Sequence, residues 1–327
     1  MAQDLNSTDG VDWKFPKAIV DCDWLKDQID NQSIRIFDCT TYLKYTDSHP
    51  SKPYDVCSGL AAYEVAHIPK SAYLDLQNDL SDVDSPFSFT LPALPRLAAR
   101  FNKLGIGDPY HIILYARNGM QWATRVWWMI HVLGYSKISI LDGGFEAWKS
   151  DGLPISNTTS RFSPADFKVT EKPEIFIGKK QVLAAIDDDK SVLINALTKD
   201  IHAGENTRYG RPGHIPKSIN IPFHELIDAE SGKLISPNDA ARIFRDRNIT
   251  PEFKIVNYCG GGIAATLDAF VLYQLGFENL FIYDNSLSEW AMEPNLPMGT
   301  DCLRGNGVSA DFMLDKQIHV DTKTRDK

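Results

Sequence analysis

Six short apolar runs punctuate the chain, separated by longer stretches with helical spacing. The runs are "SIRIFDC" (33–39), "HIILYA" (111–116), "KISILD" (137–142), "SVLINAL" (191–197), "FKIVNYC" (253–259) and "NLFIYD" (279–284). Each has strand length and is rich in Ile, Val and Leu, the composition of strands buried on both faces. The helical stretches are "LPRLAARFNKLG" (94–105), "WATRVWWMIHVLG" (122–134), "SPNDAARIFRDRNI" (236–249) and "IAATLDAFVLYQLG" (263–276). Ser236 and Pro237 supply a cap and a first turn for the third of these. Alternating buried strands and helices predict an α/β fold of mainly parallel sheets flanked by helices. Ligands in such sheets sit beyond the carboxyl ends of the strands. Residues that follow the apolar runs are therefore where chemistry is expected.

The pattern occurs twice. "AHIPKSAYLDL" from Ala66 returns as "GHIPKSINIPF" from Gly213, 147 positions later. "ILDGGFEAW" from Ile140 answers "IYDNSLSEW" from Ile282, pairing Asp142 with Asp284 and Trp148 with Trp290 at an offset of 142. Leu133-Gly134 and Leu275-Gly276 keep the same offset. Matching blocks in the same order predict a duplicated domain. The copies are placed at 14–156 and 176–300, joined by a polar linker at 157–175 and followed by a solvated tail, 301–327.

Composition narrows the function. The 327 residues are 43% hydrophobic and 24% charged, a globular balance, with a formal net charge of -9. An acidic chain without a dense Lys/Arg cluster does not suit nucleic acid or an anionic membrane. No run approaches the ~18 apolar residues of a membrane span. "MAQDLNSTDGVDWKF" has neither the basic start nor the apolar centre of a secretory signal, so a cytoplasmic protein is expected. Cys22, Cys39, Cys57, Cys259 and Cys302 are odd in number, widely spaced and without CxxC. That fits free thiols in a reducing compartment better than disulfides or a zinc site, and neither metal nor cofactor is expected.

Cys259 stands apart because "YCGGGIA" places it at the end of an apolar run, before three glycines and a helix. Glycines let the backbone turn sharply and gather N–H groups into an anion-binding nest. A helix start favours the thiolate, the reactive form of cysteine. A buried structural cysteine is the plainer alternative. A nucleotide loop fits poorly, since neither GxGxxG nor GK[ST] is present. A cysteine phosphatase would need an arginine six residues on, where Ala265 stands.

Residues 18–300 resemble the tandem-domain rhodaneses, the family of thiosulfate and 3-mercaptopyruvate sulfurtransferases. "HIP" in both halves, "DGGFEAW" with "GLP" after it, "RVWWM" and "YCGGGIA" carry the resemblance. It implies an inactive first domain, with Ala116 at the cysteine position, and a catalytic second one. It implies that Cys259 takes a sulfane sulfur as a persulfide and passes it to a thiol, cyanide or protein acceptor. A thioredoxin-like reductant is a possible partner. Gly260, Gly261, Gly262, Ile263 and Ala264 would hold the anion through their amides. Thiosulfate-type loops carry basic residues after the cysteine, and this loop has none. Mercaptopyruvate-type loops read Cys-Gly-Ser-Gly-Val-Thr. The chain is nearer that type, but Gly261 replaces the Ser and Ala264 the Thr. Leu197 stands where the family has a substrate arginine. Arg208 and Arg211 remain as candidates for the donor carboxylate.

His67, with Asp55 upstream, is a further candidate from the resemblance. The competing reading makes His67 and His214 matching turn-holders in the two copies. Asp142 and Asp284 read as structural turns, the tryptophans as packing, and Ser286 and Glu289 as weak active-face candidates. Two functions stay open: an enzyme moving sulfur from a small donor, or a carrier or sensor relaying persulfide to a partner protein.

Overall fold

The computed structural model describes residues 10–46, 53–170 and 174–301. The expected tail and Cys302 lie outside them. In the first copy the strands are β1 (Ile19–Val20), β2 (Ile34–Asp38), β3 (Thr41–Tyr45), β4 (Tyr54–Ser58), β5 (Ala72–Tyr73), β6 (His111–Tyr115) and β7 (Ile138–Leu141). Its helices are α1 (Cys22–Asp27), α2 (Leu60–Val65), α3 (Leu94–Leu104), α4 (Gln121–Val132) and α5 (Gly144–Ser150). The second copy has β8 (Phe176–Ile177), β9 (Ser191–Asn195), β10 (Ile219–Asn220), β11 (Lys254–Tyr258) and β12 (Leu280–Tyr283). Its helices are α6 (Lys179–Ile186), α7 (Lys199–Ala203), α8 (Pro237–Arg245), α9 (Ala264–Gln274) and α10 (Ser286–Trp290).

Each copy builds one five-stranded parallel sheet. The orders are β1-β7-β6-β2-β5 and, read in the matching direction, β8-β12-β11-β9-β10. The six apolar runs are the three inner strands of each sheet. Helices cover both faces of these strands, which is why they carry no polar alternation. Helix ends follow local chemistry. Ser236 Oγ accepts from the Asp239 N–H at 3.1 Å, with Pro237 in the first turn of α8. Gly105 closes α3 with a left-handed φ of 85°.

The copies meet along α4 and α9, which are matching helices. Thr124 Oγ1 and Thr266 Oγ1, 142 positions apart, hydrogen-bond each other at 2.7 Å. Trp128 Nε1 donates to the Thr266 carbonyl at 3.0 Å, and Trp127 packs edge-on against Phe270. Helix α4 is buried almost all round because it lies between its own sheet and α9. Two aspartates bracket this seam. Asp284 Oδ2 accepts from the Leu91 N–H at 2.7 Å, and Asp142 Oδ1 accepts from the Leu234 N–H at 2.9 Å. Each strand-end carboxylate thus holds a loop of the other copy, a wider role than the local turn expected.

The stretch placed as a linker is strapped to the first copy over much of its length. Ser160 N–H donates to Tyr63 Oη at 3.1 Å, Arg35 donates to the Ser163 carbonyl at 2.8 Å, and Thr170 N–H donates to the Leu133 carbonyl at 2.9 Å. Phe167 is buried there. A polar segment without periodicity can be anchored by backbone bonds and isolated aromatics, which leave no pattern to read. Among the described residues no helix is long and apolar enough to cross a membrane.

Candidate active site

Strand β11 delivers Cys259 to the carboxyl end of the second sheet, and residues 260–263 turn the chain into α9. The turn requires glycine at one position above all. Gly262 has φ of 70°, and a Cβ there would strike the Asp284 carbonyl oxygen. Among the described residues no protein acceptor takes the N–H of Gly260, Gly261, Gly262, Ile263 or Ala264. Five consecutive amides after the thiol are left for an anion. No side chain from 260 to 264 is charged.

The cysteine is held from behind. Its carbonyl accepts from the Leu287 N–H at 3.0 Å, and the Gly260 carbonyl accepts from the Ser288 N–H at 2.8 Å. The Cys259 N–H donates to Ser286 Oγ at 3.0 Å, and that hydroxyl donates onward to the Tyr283 carbonyl at 2.7 Å. The same hydroxyl lies 4.0 Å from Cys259 Sγ. Ser286 holds a φ of 50°, unusual for a non-glycine residue. Its hydroxyl contacts hold a backbone that the first copy builds with Gly144, at φ of 59°.

The first copy reaches into the site at two places. Arg125 of α4 is fully buried; it donates to Asp284 Oδ1 at 2.7 Å, to the Gly262 carbonyl at 3.1 Å and to the Phe89 carbonyl at 2.6 Å. It braces the loop's backbone from the far side. The second approach is the antiparallel hairpin β3–β4, which lies over the loop. A Cβ added to Gly261 would fall 2.5 Å from Tyr54 Oη, and one added to Gly260 would collide with Tyr209 Oη. The Arg208 guanidinium lies over the Tyr45 ring, 3.9 Å from its centre. Burial, first of all, pushes the pKa of Tyr45, Tyr54 and Tyr209 above the ordinary tyrosine value, and the charge of a Cys259 thiolate adds to each shift.

Cys259 is consequently only 2% exposed. Its cover is not uniformly apolar: three phenols, the Ser286 hydroxyl and the free amides surround it. Such a chamber admits a small donor more readily than a protein segment.

The other sequence candidates divide. Arg208 is at the site. Arg211 is not available to a ligand: Nε donates to the Ala291 carbonyl, Nη1 to Leu296, and Nη2 to Trp290 and Glu293, at 2.6–2.9 Å. It fastens the segment after α10. His67 is also placed elsewhere. Its ring is fully buried, Nδ1 and Nε2 meet the Tyr63 and Thr158 carbonyls at 2.6 and 3.0 Å, and Tyr63 stacks on it. His214 repeats the arrangement with the His202 carbonyl, at 2.7 Å, and the His202 ring. The turn-holding reading of both histidines agrees with these contacts. Asp55 sits on β4 opposite Lys44, next to Tyr54.

One trio among the described residues, His202, His214 and Asp301, has metal-ligating atoms within 4.8 Å of one another. Asn195 Nδ2 donates to His202 Nδ1 at 3.0 Å, with its Oδ1 already taken by the Leu197 N–H. That leaves His202 Nε2 carrying hydrogen toward Asp301, 3.5 Å away, which suits a polar contact and not a metal. Sequence reasoning missed Tyr45, Tyr54, Tyr209 and Arg125. The available signal was that Tyr45 and Tyr54 fall in a segment with no counterpart in the second copy.

The rhodanese-like domain family matches residues 21–151 and 179–293. Thiosulfate/3-mercaptopyruvate sulfurtransferase 2 of Arabidopsis thaliana is 30% identical over 306 residues, spanning 86% of each chain. The 3-mercaptopyruvate sulfurtransferase of Escherichia coli K12 is 30% identical over 283 residues, 85% of this chain and 96% of that one. A crystal structure of a 3-mercaptopyruvate sulfotransferase from Escherichia coli superposes with a TM-score of 0.68 at 27% identity, over 82% of this chain and 98% of that one. The anaerobic ergothioneine biosynthesis enzyme from Chlorobium limicola shares the fold, with a TM-score of 0.75 at 17% identity, over 91% of this chain and 73% of that one. Two sheets of one topology, a cysteine before a nest of free amides in the second, and these likenesses together show that the chain belongs to the rhodanese family, with two copies of its domain.

Proposed function

We propose that this sulfurtransferase moves a sulfane sulfur from a small donor to a thiol or cyanide through a persulfide on Cys259. The observation that carries the reading is the run of five unclaimed N–H groups directly after a thiol that is closed from bulk water. Amides fixed in that way stabilise an anionic outer sulfur without a cationic side chain. Lack of a cation in the loop disfavours the dianion thiosulfate and favours a 3-mercaptopyruvate-like donor, whose single carboxylate Arg208 would meet. A small thiol, or a thioredoxin-like reductant acting on the persulfide, would complete the cycle. The free thiols of Cys22, Cys39, Cys57 and Cys259 support a reducing setting such as the cytoplasm.

Intact-mass measurement after incubation with 3-mercaptopyruvate and with thiosulfate tests this. The expected result is a gain of one sulfur atom, lost in Cys259→Ser. No gain with any donor overturns the reading.

A further inference from the structure

Breaking the carbon–sulfur bond of a mercaptopyruvate-like donor releases a carbanion equivalent, the enolate of a 2-oxo acid, which must receive a proton. The loop cannot supply one: residues 260–264 carry no protic side chain. Ser286 cannot readily do so, because its hydroxyl accepts from Cys259 and donates to Tyr283. The space that a side chain at position 261 would fill is instead taken by the Tyr54 hydroxyl, 2.5 Å from where a Cβ would stand.

The polar side chain set against that phenol's hydroxyl is Ser288. Tyr54 is 6% exposed, and among the described residues its hydroxyl makes no hydrogen bond of ordinary length. Ser288 Oγ is close enough to favour its ionised form, yet is itself buried without a partner of its own. Ser288 Oγ is thus open to a third group beside the phenol. Burial dominates Tyr54's ionisation and pushes it above the ordinary tyrosine value, so the phenol waits in its protonated form.

We propose that Tyr54, contributed by the catalytically silent first copy, is a catalytic residue of the Cys259 site and relays the proton that C–S cleavage demands. This rests on the sulfur-transfer reading above. The Cys259 thiolate attacks the donor's thiol sulfur. The Sγ–S bond forms, and the C–S bond breaks with its electron pair leaving on carbon. Tyr54 gives its hydroxyl proton to that carbon, completing the 2-oxo acid. The phenolate then takes the proton on the outer sulfur of the new perthiol. The products are the Cys259 persulfide anion, the protonated 2-oxo acid carbon and an intact phenol, so charge and protons balance and no co-reactant is consumed.

Donors whose leaving group departs as a stable anion need no such relay. Sulfite leaves thiosulfate, and glutathione thiolate leaves glutathione persulfide, without receiving a proton. Tyr54→Phe should therefore slow single-turnover persulfide formation from 3-mercaptopyruvate by about 10²-fold or more, the usual scale of general acid catalysis. Its rate with whichever anionic donor the wild type accepts should change by less than about 3-fold on that scale. The solvent deuterium isotope effect on the mercaptopyruvate step should also change in the variant. Tyr209→Phe, which keeps the Tyr54 hydroxyl, should not show this donor selectivity. Equal losses with both donor classes, no loss with mercaptopyruvate, or donor selectivity in Tyr209→Phe instead would overturn the assignment. Those outcomes leave sulfur transfer to wild-type Cys259 intact. Absence of that transfer with every donor would overturn both readings.

Discussion

The loops at 116–120 and 259–263 occupy the same place in two copies of one fold, and their first backbone amides are used differently. Both are pinned alike: Ala116 O accepts from the Phe145 N–H at 3.1 Å, and Cys259 O accepts from the Leu287 N–H at 3.0 Å. They diverge at the next residue. The Arg117 N–H is taken by Thr40 Oγ1 at 3.0 Å, whereas the Gly260 N–H has no protein acceptor among the described residues. Arg117 also lays its guanidinium over the Phe145 ring, 3.5 Å from the centre, and donates to the Ala66 carbonyl. The first copy has lost more than a thiol. Its first loop amide is claimed by a side chain of its own copy, and what that copy offers the other is the β3–β4 hairpin. In the second copy only three residues separate the end of β9 at Asn195 from the start of α7 at Lys199, with no hairpin between them.

The severest test exchanges the cysteine between copies. Cys259→Ser should abolish sulfur loading, and adding Ala116→Cys to it should restore none, because the amide next to a thiol at 116 is already taken by Thr40 Oγ1. Intact mass after donor treatment reads both. A sulfur retained on the double variant would mean that the cysteine alone defines the active copy. Next comes the glycine that both loops share. Gly262 (φ 70°) faces the Asp284 backbone carbonyl, while Gly119 (φ 110°) faces only the movable end of Gln121. Gly262→Ala should cost about 2–5 kcal/mol, from backbone strain plus a clash that must push backbone aside, and should remove persulfide formation. Gly119→Ala should cost about 1–3 kcal/mol from strain and leave loading unchanged. Urea titration with the loading assay separates the two.

The bracketing aspartates make a gentler pair. Asp284 faces the fully buried Arg125 at 2.7 Å as well as the Leu91 amide; Asp142 has the Leu234 amide and a looser attraction to Lys233. Asp284→Ala leaves a buried guanidinium uncompensated and should cost about 3–5 kcal/mol. Asp142→Ala should cost about 1–2 kcal/mol, the scale of one charged hydrogen bond. Comparable losses would show that the seam, and not Arg125, sets the energy.

What could be read from sequence follows from where the pattern is strong. The inner strands β2, β6, β7, β9, β11 and β12 are four or five residues long, rich in Ile, Val and Leu, with most of each strand buried between helix layers, so runs such as "HIILYA" announce them. Strands β1, β5, β8 and β10 have two residues each, too few to show any period. Cys259 and its amides were legible because one contiguous stretch builds them. Tyr54, Tyr209 and Arg125 converge on that stretch from separations of 50 to 205 residues, and only the packed fold brings them together. Arg208 and Arg211 show the limit in miniature. Both sit in "TRYGRPG", yet one faces the hairpin and the other is spent on four carbonyls.

The one stabilising substitution comes from matching helix positions. Val126 of α4 is fully buried, and the corresponding residue of α9 is Asp268, equally buried, with neither carboxylate oxygen hydrogen-bonded. Burial, chiefly, lifts the Asp268 carboxyl well above its ordinary value, and nearby Glu225 adds to the shift, so the folded protein holds it neutral. In the unfolded chain it ionises near the ordinary pKa of about 3.9. Between those two values the unfolded state binds fewer protons, so this residue makes the fold progressively less stable as pH rises from about 4. Asp268→Val, which installs the residue of the first copy, should therefore raise stability by about 1–3 kcal/mol at neutral pH, the scale of an unsatisfied buried polar group. Its advantage should shrink as pH is lowered toward about 4, where the carboxyl is protonated in both states. Melting temperatures of the two proteins across that range read the sign directly. An advantage independent of pH would mean that packing volume, and not ionisation, distinguishes the two helices at this position.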